Sequence, residues 1–125
     1  MATPEYRILK VASGTLSSAG SSTKATISIT DSAHVVRLYR VKVVRTAGTA
    51  TTFTPRIYSS SSGTANAITQ EFAGSSTAIA DICDLALDGV YCSTDAAGAI
   101  YLEPGPTGVS TDNVFSYVVV YEVMA

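Results

Sequence analysis

The sequence predicts an all-β protein, an antiparallel sandwich of about eight strands. Three observations lead there. Residues 113–123 form a run with no Gly and no Pro, made almost wholly of β-branched and aromatic residues that suit a pleated surface. Hydrophobic residues make up 46% of the chain and charged ones only 14%, while Ser and Thr supply 32 of 125 residues. Exposed strand positions are therefore filled largely by hydroxyls. Turn-forming residues also recur at short intervals from one end of the chain to the other. A chain of 125 residues is long enough to bury a core without staples. An extended arm over residues 1–5 and one sandwich domain over residues 6–125 are expected.

The run at 113–123 organises the rest. Successive side chains of a strand point to opposite faces. One face carries Phe115, Tyr117, Val119, Tyr121 and Val123, and is the expected core face. The other carries Val114, Ser116, Val118, Val120 and Glu122, apolar in its middle. A strand apolar on both sides is usually covered on both. Val118 and Val120 are therefore candidates for an oligomer interface, the alternative being cover by a loop of the same chain.

In chain order, residues 6–12 read as the first strand. Pro4 keeps Ala2, Thr3 and Glu5 extended ahead of it. Residues 13–22 read as a small-residue loop. Residues 23–30 alternate, with Ala25, Ile27 and Ile29 on one face. Asp31-Ser32-Ala33 is a turn. Residues 34–46 form a long strand in which Val41 and Val43 alternate with Arg40 and Lys42, placing the basic pair on an exposed face. The alternation slips between Val36 and Tyr39, so a bulge or bend is expected there.

Phe53, Pro55 and Ile57 share a face of the next strand, and Pro55 confines it to an edge or a strand end. Residues 59–64 are a polar turn into a short strand near 67–72, and residues 73–77 turn again. Residues 78–87 fit either a helical turn or a bulged strand. Asp88-Gly89 reads as a tight turn into a short strand. Residues 99–103 form a strand with Ile100 and Leu102 inward, and residues 104–108 form a rigid loop.

Net charge is -2, unevenly spread. All eight bases lie before residue 57, where only Glu5 and Asp31 oppose them. The eight remaining acids lie after it. Either strands from the two halves interleave and pair their charges locally, or the molecule has one basic and one acidic end suited to docking. The candidate contacts of a basic end are Arg37, Arg40, Lys42 and Arg45, with the arm Ala2, Thr3, Pro4 and Glu5. Bases not interleaved with exposed aromatics, and an acid pI, argue against nucleic acid. No apolar run is long enough for a membrane-crossing helix. No basic-then-apolar leader opens the sequence, so folding in a cytoplasm is expected, with Cys83 and Cys92 reduced and packed as small apolar residues, the alternative being a disulfide that closes the short loop between them.

Catalytic chemistry is sparse. His34 is the sole histidine, and no Gly-x-Ser-x-Gly elbow or phosphate loop occurs. Asp81, Asp84 and Asp88 match no calcium-loop spacing and read as turn caps. No catalytic, cofactor or metal residues are assigned.

Three segments carry a resemblance: residues 41–49 (Val-Lys-Val-Val-Arg-Thr-Ala-Gly-Thr), residues 53–61 (Phe-Thr-Pro-Arg-Ile-Tyr-Ser-Ser-Ser), and the pair 99–103 and 113–121. Their order resembles small jelly-roll proteins of tailed-bacteriophage structural modules, namely capsid decoration or cement proteins and head or tail fibre domains. The resemblance covers residues 34–125. It implies a jelly-roll sandwich, no catalysis and a virion protein on the capsid exterior, often a trimer, whose partners are the major capsid protein and itself. The other classes weighed are a receptor- or glycan-binding fibre domain and a small jelly-roll enzyme. The lack of a histidine set or metal ligands disfavours the enzyme.

Overall fold

The computed structural model describes residues 8–19, 23–48, 55–61, 68–69, 81–105 and 112–124. Its strands are β1 (Lys10–Ala19), β2 (Ala25–Ser28), β3 (Val35–Ala47), β4 (Arg56–Tyr58), β5 (Ile68–Thr69), β6 (Asp81–Ser93), β7 (Ala99–Glu103) and β8 (Asn113–Met124). No helix occurs among the described residues. The strands form two antiparallel sheets, ordered β1-β8-β3-β6 and β2-β7-β4-β5. Among the described strands the chain changes sheet at every connection except β4 to β5.

The two sheets face each other across one core. Val36, Leu38, Val41 and Val43 of β3 and Phe115, Val119 and Tyr121 of β8 meet Ala25 and Ile27 of β2, Ile57 of β4 and Ile100 and Leu102 of β7. Each fully buried Val, Leu, Ile or Phe contributes about 1.5–3 kcal/mol over its exposed state. β8 lies between β1 and β3, as its unbroken apolar face requires. The alternation read from residues 113–123 holds, with Tyr117 and Val123 packed at the rim of this core.

β3 carries the expected irregularity. Its pairing with both β6 and β8 shifts between Leu38 and Arg40. Against β8, Tyr39 is one extra residue. Two consecutive residues, Tyr39 and Arg40, thus leave the core side, and the inward set passes from Val36 and Leu38 to Val41 and Val43. On the β6 side the same step is matched by three residues, Leu87, Asp88 and Gly89. Asp88-Gly89 is therefore not a hairpin turn but a bulge inside one thirteen-residue strand. Gly89 adopts φ +65° there, a conformation glycine takes without a side-chain clash.

Other expectations are corrected. The Ser/Gly stretch after residue 12 is strand as far as Ala19, because β8 supplies a ladder that pairs even small hydroxyl residues from Ser13 to Leu16. Residues 8 and 9 precede the strand rather than belonging to it. Residues from 81 onward take the bulged-strand alternative. Pro55 sits just ahead of β4, at a strand end. Arg45, a docking candidate, is 0% exposed. It shares the parity of Val41 and Val43 and pairs in register with Phe115 of β8 and Asp81 of β6, so it points away from the open face. The arm at residues 1–5, Phe53, the turn at 73–77 and most of the loop at 104–108 lie outside the described residues.

The outer sides of the two sheets differ. In β7 all five residues are buried. Ala99 and Tyr101 cluster with Tyr58 on the side away from the core. Beside them Lys24 Nζ lies 3.3 Å from Glu103 Oε2 and 4.8 Å from the Tyr58 ring centroid. The Tyr58 hydroxyl donates to Glu103 Oε1 at 3.4 Å. The end of β2 is tied to the β6–β7 turn, where Ile29 N and Thr30 N both donate to the Gly98 carbonyl. Gly98 has φ +80°, and a Cβ there would lie 2.6 Å from the Thr30 carbonyl oxygen.

Two outcomes are expected. Gly98→Ala combines a strained φ with a backbone clash and should lower unfolding stability by about 1–3 kcal/mol, read by urea denaturation. Breaking the buried pair singly, as in Glu103→Leu, should cost about 3–5 kcal/mol. The double change Lys24→Met/Glu103→Leu should restore most of that loss, since no charge is then buried alone. Additive losses in the cycle would show that the ion pair is not coupled.

Candidate assembly surface

The outer face of the β1-β8-β3-β6 sheet is the open face of the sandwich. Register fixes its rows. Val11, Val120, Arg40 and Ala86 lie side by side across the four strands. The next row is Ser13, Val118, Lys42 and Asp84, and the third is Thr15, Ser116, Val44 and Ile82. Val118 and Val120 are half-buried by their neighbours, while Val11 and Ile82 are exposed. The two valines picked from residues 113–123 thus sit on an apolar diagonal that runs from Val11 through Val120 and Val118 to Val44 and Ile82, with Arg40 and Lys42 beside it.

Of the two bases in these rows, Arg40 is paired across strands. Arg40 donates from Nε to Asp84 Oδ1 at 2.8 Å and from Nη2 to Asp84 Oδ2 at 2.6 Å. That bidentate contact holds the Asp84 carboxyl below its usual range and raises the Arg40 guanidinium, with the Lys42 charge acting on Asp84 in the same direction. Both partners are solvent-exposed, so the pair adds little to stability. Its weight lies in setting the charge pattern of the face.

Arg37 sits one row further along, opposite Glu122 and Tyr91. Its guanidinium lies 5.5 Å from the Tyr39 ring and 5.2 Å from the Tyr91 ring. It is 3.9 Å from Glu122 Oε1, which also accepts from the Tyr39 hydroxyl at 3.2 Å. Arg37 Nε donates to the Gly89 carbonyl at 3.4 Å. The bulge builds this cluster, because the extra residue Tyr39 and the bare backbone of Gly89 both meet the Arg37 side chain.

Of the four basic candidates, the fold brings Arg37, Arg40 and Lys42 together on one face and takes Arg45 away. The three described ion pairs each join a base from the first 56 residues to an acid from the rest. Local pairing of interleaved strands is what the charge segregation in the sequence produces here. Reading the sequence missed Tyr39, Tyr91 and Glu122 as partners of Arg37. Their signal was the alternation slip, which put two consecutive residues on one face.

His34, Asp95 and Cys92 have structural employment. His34 Nδ1 is 3.0 Å from the Ser32 carbonyl, and the His34 amide donates to Thr94 Oγ1 at 2.8 Å, which joins the starts and ends of neighbouring strands. Asp95 accepts from the Ala97 and Ala99 amides and from the Tyr101 hydroxyl, and the last contact lowers the Asp95 carboxyl and raises the Tyr101 phenol. Cys92 is a free thiol in the core, and burial pushes it up to about 11. No group of three or more His, Cys, Asp or Glu suited to a metal occurs among the described residues.

No family model matches the chain, and no curated protein does. Among solved structures, a chain of the cyanophage Pam1 capsid asymmetric unit matches with a TM-score of 0.52 and 17% identity, over 99% of this chain and 93% of that one. A chain of a nora virus structure aligns over 98% of this chain and 64% of that one, but at TM-score 0.38 and 12% identity the superposition is too loose to bear on the fold. The chain resembles a viral capsid-related protein, and at 17% identity the likeness is one of fold.

Proposed function

We propose that this chain is a structural component of a virion, a decoration or cement protein that binds the outside of a bacteriophage capsid as an oligomer and has no catalytic role. The observation that carries the reading is the asymmetry of the sandwich. Among the described strand residues, the outer side of the second sheet is buried along β7 and at Tyr58, leaving only small hydroxyls of β2 exposed, while the outer side of the β8 sheet presents apolar residues beside the bases Arg40 and Lys42. The strand order is read as a jelly roll, since the chain passes between sheets at almost every connection. The likeness in fold to a capsid chain supports the same reading.

The proposed partners are the major capsid protein and further copies of this chain, with a trimer favoured by the resemblance in sequence pattern. Val118 and Val120 form the centre of the self-contact. Arg37, Arg40 and Lys42 supply the polar part of the capsid contact, and the arm Ala2, Thr3, Pro4 and Glu5 extends from the sandwich onto the shell. The protein folds in the host cytoplasm before it joins the particle. A second reading, a glycan- or receptor-binding fibre domain, is favoured by one observation: Tyr91 is 59% exposed beside Arg37. Binding of host-cell glycans by the isolated protein would select it.

Two measurements test the main reading. Stripped particles re-supplied with the protein across a salt series should regain wild type at low salt and lose it as salt rises, because contacts between exposed charges are screened at a Debye length of about 10 Å in 0.1 M salt. Arg40→Glu/Lys42→Glu should rebind several-fold less at low salt, and equal rebinding would remove the basic pair from the contact. In sedimentation, Val118→Lys/Val120→Lys should give folded protein of lower mass than wild type. A wild type that is already monomeric at micromolar concentration would contradict the self-contact.

A further inference from the structure

A β-sandwich has four sheet edges, and each is a row of unpaired backbone groups ready to pair with another chain. Among the described residues three of the four are blunted. β2 and β5 are short, with four and two residues. β6 is long, but its ladder breaks at the Leu87–Gly89 bulge and it carries the exposed carboxylates Asp84 and Asp88.

β1 is different. Lys10 to Leu16 pairs with β8 in unbroken register, and no described strand pairs with its other side. Lys10 is its only charge. Val11 is 64% exposed, and Ile8 and Leu9 just ahead are 72% and 50% exposed. Three of the six exposed large hydrophobics of the described chain thus lie within four residues at the start of this edge. Its far end is closed by an irregularity between Leu16 and Ala19, where Ser18 takes φ +53°.

We infer that the β1 edge is a self-association site, at which β1 of a second copy pairs antiparallel across a two-fold axis at Ser13 and joins two four-stranded sheets into one of eight strands. Charge selects this arrangement. A parallel pair in register sets Lys10 against Lys10. The antiparallel pair about Ser13 sets Lys10 against Leu16, Val11 against Thr15 and Ala12 against Gly14, with the two ammonium groups about 20 Å apart along the strands. Val11, already flanked by Val120 in its own sheet, then gains a cross-strand neighbour in Thr15 of the other copy. The irregularity beyond Leu16 ends the shared ladder opposite Ile8 and Leu9. Such a contact is isologous and closes on itself, so it produces a dimer rather than a fibre. It runs along the backbone edge of β1, which borders the Val118–Val120 face through the Val11–Val120 and Ser13–Val118 pairs, so the 13–13 link in a Val118→Lys/Val120→Lys protein is what tells the two contacts apart; it holds whether or not the protein binds a capsid.

The test is cysteine cross-linking of the full chain in solution, with linked peptides identified by mass spectrometry. Ser13→Cys should give a disulfide-linked dimer at position 13, because that residue meets its own copy. Thr15→Cys alone should not. A mixture of Val11→Cys and Thr15→Cys proteins should yield the mixed 11–15 link well above either self-link. Val11→Lys/Ser13→Lys, at two exposed positions, should keep the strand circular dichroism and lose the dimer in sedimentation, whereas Val118→Lys/Val120→Lys should retain the 13–13 link. Equal linking at positions 11, 13 and 15, or an unchanged sedimentation mass for the lysine edge variant, would overturn the proposal.

Discussion

One extra residue in β3 determines what this protein shows to solvent. Val36 and Leu38 enter the core, and strict alternation would carry Arg40 and Lys42 in after them and turn Val41 and Val43 out. Burying two unpaired cations and exposing two valines is unfavourable on both counts. The bulge at Tyr39 resets the phase, and the valines return to the core while the bases face water. The neighbouring strand must follow, and it does so with Leu87, Asp88 and Gly89, the glycine taking the positive φ that the step requires. Arg37, Tyr39, Tyr91 and Glu122 converge because of that local geometry.

The bulge also has a consequence for Arg45. Once Val41 and Val43 are inward, parity takes Arg45 inward as well, and it ends fully buried, in register with Phe115. The open face therefore holds three of the four clustered bases, and two of those are matched by acids from β6 and β8. Part of the charge asymmetry along the sequence is taken up in pairs across strands, Lys24–Glu103, Arg37–Glu122 and Arg40–Asp84. What remains on the face is a modest charge pattern around an apolar strip.

Much of this was legible in the sequence, and the parts that were not have physical causes. The two faces of residues 113–123, the strand at 99–103 with Ile100 and Leu102 inward, and the slip near Tyr39 all follow from side-chain parity within one segment. The extension of β1 through Ser13 to Ala19 was hidden, because small hydroxyl residues form strand only when a neighbour such as β8 offers a ladder. Asp88-Gly89 has the chemistry of both a hairpin turn and a bulge, and the partner strand decides between them. Arg45 was within reach of the same parity that placed Val41 and Val43, but its charge weighed against an inward position. The Lys24–Glu103 contact joins residues 79 apart in sequence, and no local pattern marks such a pair.

The open basic face depends on the phase of β3 either side of Tyr39, and cysteine accessibility reads that phase directly. Single cysteines at Val36, Arg37, Lys42 and Val43 would be labelled in the folded protein with a water-soluble thiol reagent and quantified peptide by peptide. The account predicts fast labelling at positions 37 and 42 and protection at 36 and 43. Protection at 42 with fast labelling at 43 would mean that alternation runs unbroken through Tyr39, and the open basic face would not exist.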